Sequence, residues 1–392
     1  MFCCGMGTDG SKLDAEDPPG PRGLRRPLPG GQEHLDGLHR PSIDNGTENQ
    51  LGAFFSSQAA LSLGSSPVLE TTWTPSSLLD LTNSVRLSLA QEKHFGPDAN
   101  KLAPFLEAAY SDEIRDISTL GFETIKQTHL DKLLHDIIEF AKRPSALSTK
   151  DLSAIANATS LQRLWRSRLR ARYFTIDEIR AHEMVTSGRL KGVTLSLPES
   201  RDVPALYVWR PSQVDAMSDF ETNLQFDAGK WWLNIACAYR DGIVGNEYEK
   251  PTEGQYGITA LPLLTGREAL LEPNRVKYIR EGKLSDMHNS LVTQTGKQIR
   301  ILRGYRLKSI YAPSAGVRYD GLWRLASYRQ KLDEEVGAYR LELTIERVDG
   351  QVSMEAVTRI PQPSQLDDWW LYKKLEAEKI RRTEGEGRLL ES

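Results

Sequence analysis

Cysteine is nearly absent. Three residues, Cys3, Cys4 and Cys237, in a chain of 392 exclude a disulfide framework and a cysteine-rich structural zinc site. Long apolar runs are missing too, since no stretch approaches the roughly 18 residues that a bilayer-spanning helix needs. The start, Met1-Phe2-Cys3-Cys4-Gly5, has neither a glycine directly after the initiator nor a signal-peptide apolar core. Cys3 and Cys4 are read as unmodified, although such a pair is able to accept palmitate. Net charge is small at −3, from 50 Lys+Arg against 53 Asp+Glu, so a charged partner must be met by a local excess. Catalytic arrays are equally scarce. No Ser/His/Asp set presents itself, and no paired Cys with His-x-Glu marks a zinc deaminase. Pro97-Asp98 and Glu281-Gly282-Lys283 have the residue types of a metal-dependent nuclease but lie about 180 residues apart. The chain is read as non-enzymatic, with no metal or cofactor.

Glycine and proline are concentrated at one end. Residues 1–80 hold eleven Gly and eight Pro with few periodic apolar positions, the composition of a disordered tail. From 81 to 195 the pattern is helical. Leu130, Leu133, Leu134, Ile137, Ile138 and Ala141 form the apolar stripe of a packed helix. Ser148 with Asp151, and Thr175 with Glu178, have capping-box spacing, and Gly188 is a stop signal. Three to five helices are expected. One of them carries Leu161, Leu164, Trp165 and Leu169 with Arg163, Arg166, Arg168, Arg170 and Arg172. Those arginines suit DNA phosphates, or equally pairing with Asp177, Glu178 and Glu183 in a partner-binding bundle. Residues 196–225 read as a linker, 226–364 as a β-rich module, and 365–392 as a helix through Trp369 to Arg382 with a short tail. Lys373, Lys374, Lys379, Arg381 and Arg382 are the wet face of that helix or a nuclear import signal.

The β-rich module carries the local charge. Between Arg275 and Lys331 there are thirteen Lys/Arg against three acids, the pattern of a phosphate-binding face or of a solvated basic surface. Ile299-Arg300-Ile301 alternates as a half-buried strand does, and Asp320-Gly321 is a turn signal before the β-rich Leu322–Tyr328.

Two stretches supply a resemblance. Gly296-Lys297-Gln298-Ile299-Arg300-Ile301-Leu302-Arg303-Gly304 is followed by Tyr311-Ala312-Pro313-Ser314-Ala315-Gly316-Val317-Arg318-Tyr319-Asp320-Gly321. This ordered series closely resembles the signature of the SRA-YDG (SET- and RING-associated) family of DNA-binding modules. The glycine turn Asp241-Gly242-Ile243-Val244-Gly245 and the strand from Glu253-Gly254 to Leu261 resemble further family segments. The helical stretch from Trp165-Arg166 to Gly192-Val193 resembles, more weakly, what precedes the module in fungal members. The few cysteines argue against the RING or PHD finger that often accompanies the family.

The resemblance implies an α+β chain whose C-terminal module is a curved β-barrel-like sheet. It implies a nuclear, chromatin-linked DNA binder that flips a modified cytosine, such as 5-methylcytosine, into a pocket. Base extrusion costs a few kcal/mol, and aromatic stacking returns about 1 to 3 kcal/mol per base. By the same resemblance the pocket would comprise Tyr278 as the stacking ring, Ile279 where other members have threonine, and Glu268 on the cytosine amine. Lys277, Arg280, Lys283, Arg300, Arg303, Arg306, Lys308 and Arg318 would meet DNA. Gly242, Gly245, Gly254, Tyr319, Asp320 and Gly321 would have structural roles, Asp320 accepting local backbone hydrogen bonds. Two alternatives stay open: sequence-indifferent DNA binding without a formed pocket, and a protein-interaction scaffold whose helical region holds a partner. No membrane association is expected.

Overall fold

Leucines three and four residues apart make one side of a helix sticky, and the helical half of the chain is assembled from such sides. The computed structural model describes residues 73–390 except 93, 118, 143–146, 197–206, 216–225, 256, 335 and 336. All of these fall in one compact unit spanning Ser66–Ser392. Most of the glycine-rich segment expected as a tail, with Cys3 and Cys4, lies outside the described residues. The helices are α1 (Pro75–Gln91), α2 (Ala99–Ile114), α3 (Phe122–Gln127), α4 (Leu130–Ala141), α5 (Thr149–Leu169), α6 (Ala171–Phe174) and α7 (Ile176–Thr186).

Helix α1 begins inside the stretch expected as tail. Thr74 caps it by accepting from the Ser77 amide at 3.2 Å, Pro75 stands at its first position, and Leu78, Leu81, Val85 and Leu89 are buried. That apolar side compensates for the entropy lost in ordering the helix. The Ser148 capping box forms, with bonds of 3.2 and 3.0 Å to and from Asp151. The Thr175 box does not, because α6 ends immediately before it and the Thr175 hydroxyl donates back to Ala171 O at 3.1 Å.

The arginine-rich helix α5 is anchored by fully buried Trp165, whose indole donates to Glu113 at 2.8 Å beside Arg168. Two of the acids named as partners for these arginines are otherwise engaged, Asp177 on Lys132 and Arg180, and Glu183 on Lys126.

The second half is a twisted sheet. Its strands are β3 (Trp231–Trp232), β4 (Thr252–Gly254), β5 (Gly257–Leu263), β6 (Arg267–Glu272), β7 (Arg275–Gly282), β8 (Gln298–Gly304), β9 (Val317–Asp333) and β10 (Ala338–Arg347). The hydrogen-bonded order is β4-β5-β8-β9-β10-β7-β6, with β3 also on β9. In this order β5 and β8 pair in parallel, and the other neighbours are antiparallel. No ladder joins β4 to β6 among the described residues, so the expected barrel is an open sheet.

Strand β8 is not half-buried. Ile299 through Gly304 are all buried, because β8 is central and covered on both sides. Ile299 and Ile301 enter the core with Val276, Trp323, Leu341, Leu343 and Ile345, whereas Leu302 enters a second core with Trp231, Trp232, Trp369 and Tyr372. Two short strands, β1 (Val193–Ser196) and β2 (Val208–Pro211), pair antiparallel across the expected linker.

Three further α-helices lie among the described residues: α8 (Ile235–Arg240), α9 (Met354–Thr358) and α10 (Pro363–Leu390). The last starts two residues before the expected boundary and ties the two halves together. Its Asp367 receives Arg86 of α1 through both terminal nitrogens, at 2.7 and 3.0 Å, and lies 2.8 Å from His129 Nδ1. Farther along, Glu376 accepts from Trp209 of β2 at 2.8 Å, and Trp369 packs edge-on against Tyr305.

Candidate nucleic-acid interface

The motif residues form a buried ionic knot. Strand β9 presents Arg318 and Asp320 two positions apart, the spacing that puts both side chains on one face. Arg318 Nε donates to Asp320 Oδ1 at 2.6 Å, its Nη1 to Ile360 O at 2.7 Å, and its Nη2 to Tyr311 O. Neighbouring β8 brings Arg303, whose Nη1 meets Asp320 Oδ2 at 2.8 Å and whose Nε meets Glu268 of β6 at 2.9 Å. Ser309 donates to the same Glu268 at 2.5 Å. The Arg303 guanidinium lies 4.5 Å from the centre of the Trp323 ring. Burial alone would lower the Arg303 pKa, but Glu268 and Asp320 outweigh it and raise it above the ordinary guanidinium value.

This placement corrects several expectations. Arg300, Arg303 and Arg318 are completely buried, so none is available to a phosphate. They are interior because β8 and the start of β9 are covered on both faces. Asp320 accepts from two arginines rather than from local amides. Glu268 is not a free acceptor for a cytosine amine, since its side chain is 1% exposed and held by Arg303 and Ser309.

Tyr278 and Ile279 are adjacent on β7 and therefore point to opposite faces. Tyr278 is 1% exposed and packs in the inner core opposite Leu343; Ile279, 8% exposed, lies opposite Glu342 on the outer face. Tyr278 and Glu268 are register partners, whereas Ile279 does not share their side.

Beside Tyr278 lies a cluster that the residue pattern did not indicate. Glu249, 11% exposed, accepts through Oε1 from the Leu264 amide at 2.7 Å and the Thr265 amide at 2.9 Å. Its Oε2 accepts from the Thr265 hydroxyl at 2.6 Å and lies 3.4 Å from Arg280. The Tyr278 hydroxyl approaches Glu249 at 3.5 Å. Burial, reinforced by the Glu249 charge, pushes the Tyr278 phenol far above its ordinary range. His288 stands 3.5 Å from Arg280, and burial followed by the Arg280 charge lowers its pKa to about 4. An acid between a glycine turn and the next strand is the only sequence signal for Glu249, and it is weak.

The motif glycines sit in turns and strand pairs. Gly242 closes α8 at φ +78, donating to Tyr239 O at 3.0 Å. The Gly245 amide donates to Thr252 Oγ1 at 2.8 Å, and Gly254 pairs with Gly257. Gly321 has φ +90, and a Cβ there would lie 2.2 Å from Gln351 Oε1. Tyr319 is buried, its backbone paired with Gly229 and Lys230.

The other cations divide into two sets. On the outer face, Lys277 pairs with Glu342 at 2.7 Å, and Arg275 with Glu346 at 3.0 Å. Lys283, Lys297, Lys308, Arg324 and Arg329 are exposed and form no ion pair among the described residues. Arg306 is exposed and donates to Tyr305 Oη at 2.9 Å. Among the described residues the nuclease-like pieces have separate partners: Asp98 is held by Ser84 and Lys101, and Glu281 by Arg267. Among the described residues no cluster of His, Cys, Asp and Glu is placed to hold a metal, and no helix is long and apolar enough to cross a membrane.

No family model and no curated protein sequence matches the chain. Solved structures do. The SRA domain of SUVH5 in complex with hemimethylated CG DNA is 16% identical, with a TM-score of 0.27, over 33% of this chain and 94% of that one. The modification-dependent restriction endonuclease TagI is 16% identical, at 0.27, over 36% of this chain and 54% of that one. SUVH6 of Arabidopsis thaliana in complex with SAM is 17% identical, at 0.27, over 49% of this chain and 35% of that one.

Proposed function

We propose that the chain is a non-enzymatic DNA-binding protein acting in the nucleus, whose SRA-like sheet meets the phosphate backbone of a duplex. One observation carries this reading. The exposed cations Lys283, Lys297, Lys308, Arg324 and Arg329, without an ion pair among the described residues, belong to the same motif-bearing segment in which Arg303 and Arg318 are neutralised in the knot and Arg275 and Lys277 on the outer face. Unpaired surface cations are a poor device for holding a fold together, and they are the groups that displace counterions from DNA. The knot of Arg303, Arg318, Asp320 and Glu268 is their support: it fixes β6, β8 and β9 without facing the partner.

The finer proposal is that this module reads a modified cytosine. Tyr278 is the ring that would stack on it, while Ile279 belongs to the opposite face and Glu268 to the knot. The test is the affinity of the full chain for matched duplexes with no, one-strand and two-strand cytosine methylation. Unequal affinities support base reading. Equal affinities at a steep salt dependence leave a sequence-indifferent binder, and no binding to any duplex removes DNA as the partner.

A further inference from the structure

Glu249 is a carboxylate carried into the protein by the segment between the glycine turn and β4. What it finds there is a convergence of donors: two consecutive backbone amides, Leu264 and Thr265, the Thr265 hydroxyl, the Tyr278 phenol and the Arg280 guanidinium. The amides are presented together because the chain reverses at Gly266, whose φ of +83 is natural to glycine. A Cβ on Gly266 would lie 3.1 Å from the Tyr278 ring and 2.7 Å from Ile279 O, so the turn is closed down onto the tyrosine. Paired donors beside an aromatic ring suit a planar ligand with acceptors on adjacent atoms. Cytosine has such an edge, and an extruded base is read by hydrogen bonds to it together with stacking.

We propose that Glu249 is a built-in occupant of the base site, holding in the free protein the Leu264 and Thr265 amides that an extruded cytosine would take. Base entry then requires displacement of the segment 244–250, and the identity of residue 249 sets how strongly the module discriminates one cytosine from another. This rests on the DNA-binding reading above. It accounts for a feature that reading leaves unexplained, namely that the expected stacking ring is covered. The closure is polar and comes from a segment outside the sheet ladders, whereas the Glu268 side of the site is locked by Arg303. The movable side is therefore that of Glu249.

Two substitutions separate occupancy from charge. Glu249→Gln removes the negative charge but keeps an oxygen that accepts from both amides, so it should raise affinity for all duplexes alike and leave the methylated-to-unmethylated ratio unchanged. Glu249→Ala removes the occupant. With the full chain and a duplex carrying 5-methylcytosine beside 2-aminopurine, the Ala variant should raise the methylated-to-unmethylated affinity ratio about tenfold over wild type. It should also brighten the 2-aminopurine signal as the neighbouring base leaves the stack. An unchanged ratio and signal in a folded Ala variant overturn the proposal while leaving backbone DNA binding intact. Absence of DNA binding by wild type and both variants overturns the two together.

Should the Ala variant not fold, hydrogen exchange on the wild type decides. Amides in 244–250 are expected to exchange faster when the methylated duplex is bound, with those of Leu264 and Thr265 staying protected. Unaltered exchange in 244–250 on bound DNA overturns the proposal.

Discussion

At the scale of single residues, Asp320 is the most consequential side chain. It neutralises two arginines that are completely buried. Removing one partner of such a set leaves uncompensated charge, at a cost of about 3 to 5 kcal/mol. Asp320→Ala is therefore expected to lower the melting temperature sharply, or to prevent folding, and to lose DNA affinity only in step with the folded fraction. Urea denaturation alongside binding checks this. Gly321→Ala should be milder, about 1 to 3 kcal/mol, because the positive φ that an alanine would have to hold and the clash of its Cβ with Gln351 are both local. Gln351 cannot simply swing aside, since it also holds Leu322 and Val348. His288 provides a pH signature. Its folded pKa, about 4, lies below the ordinary 6.5. The unfolded chain thus binds the additional proton between those values, and stability falls as pH drops from about 6.5 toward 4. His288→Asn should flatten that part of a stability-versus-pH curve.

The motif around Tyr319-Asp320-Gly321 was legible in the sequence as a place, but not as a mechanism. Charge counts see Arg300, Arg303 and Arg318 as three more cations on a basic face, because composition does not reveal which strand is covered on both sides. Glu249 was invisible for a related reason: its importance comes from amides fifteen and sixteen residues away, and no local period encodes that.

Among the elements, the helix from Leu130 to Ala141 and the Ser148 capping box were readable because each is specified within a few neighbouring residues. The role of α10 was not, since its Asp367 answers Arg86 and His129, far away in the chain. Burial acts to raise the Asp367 pKa, but hydrogen bonds from His129 and Arg86 outweigh it and bring the value to about 2. The resulting stabilisation is present above the ordinary value near 3.8 and is lost as pH falls toward 2. Asp367→Asn is expected to destabilise the protein at neutral pH and to weaken the docking of α10 on the helical half. Faster amide exchange in α1 and α4 than in β8 and β9 is the measurement. Equal acceleration everywhere would mean that α10 is not a separate joint.

For the whole molecule, the decisive matter is the partner of the exposed cations. Every phosphate that the protein ceases to neutralise should change the slope of log affinity against log salt by about 0.9. The most direct measurement is the affinity of the full chain for a duplex across a salt series, in wild type and in a variant carrying Lys283→Glu, Lys297→Glu and Lys308→Glu. The variant should melt as wild type does, bind DNA more weakly whatever its methylation, and show a slope shallower by about two to three. A wild type without salt-dependent DNA binding, or a variant with the same affinity and slope, would contradict the account.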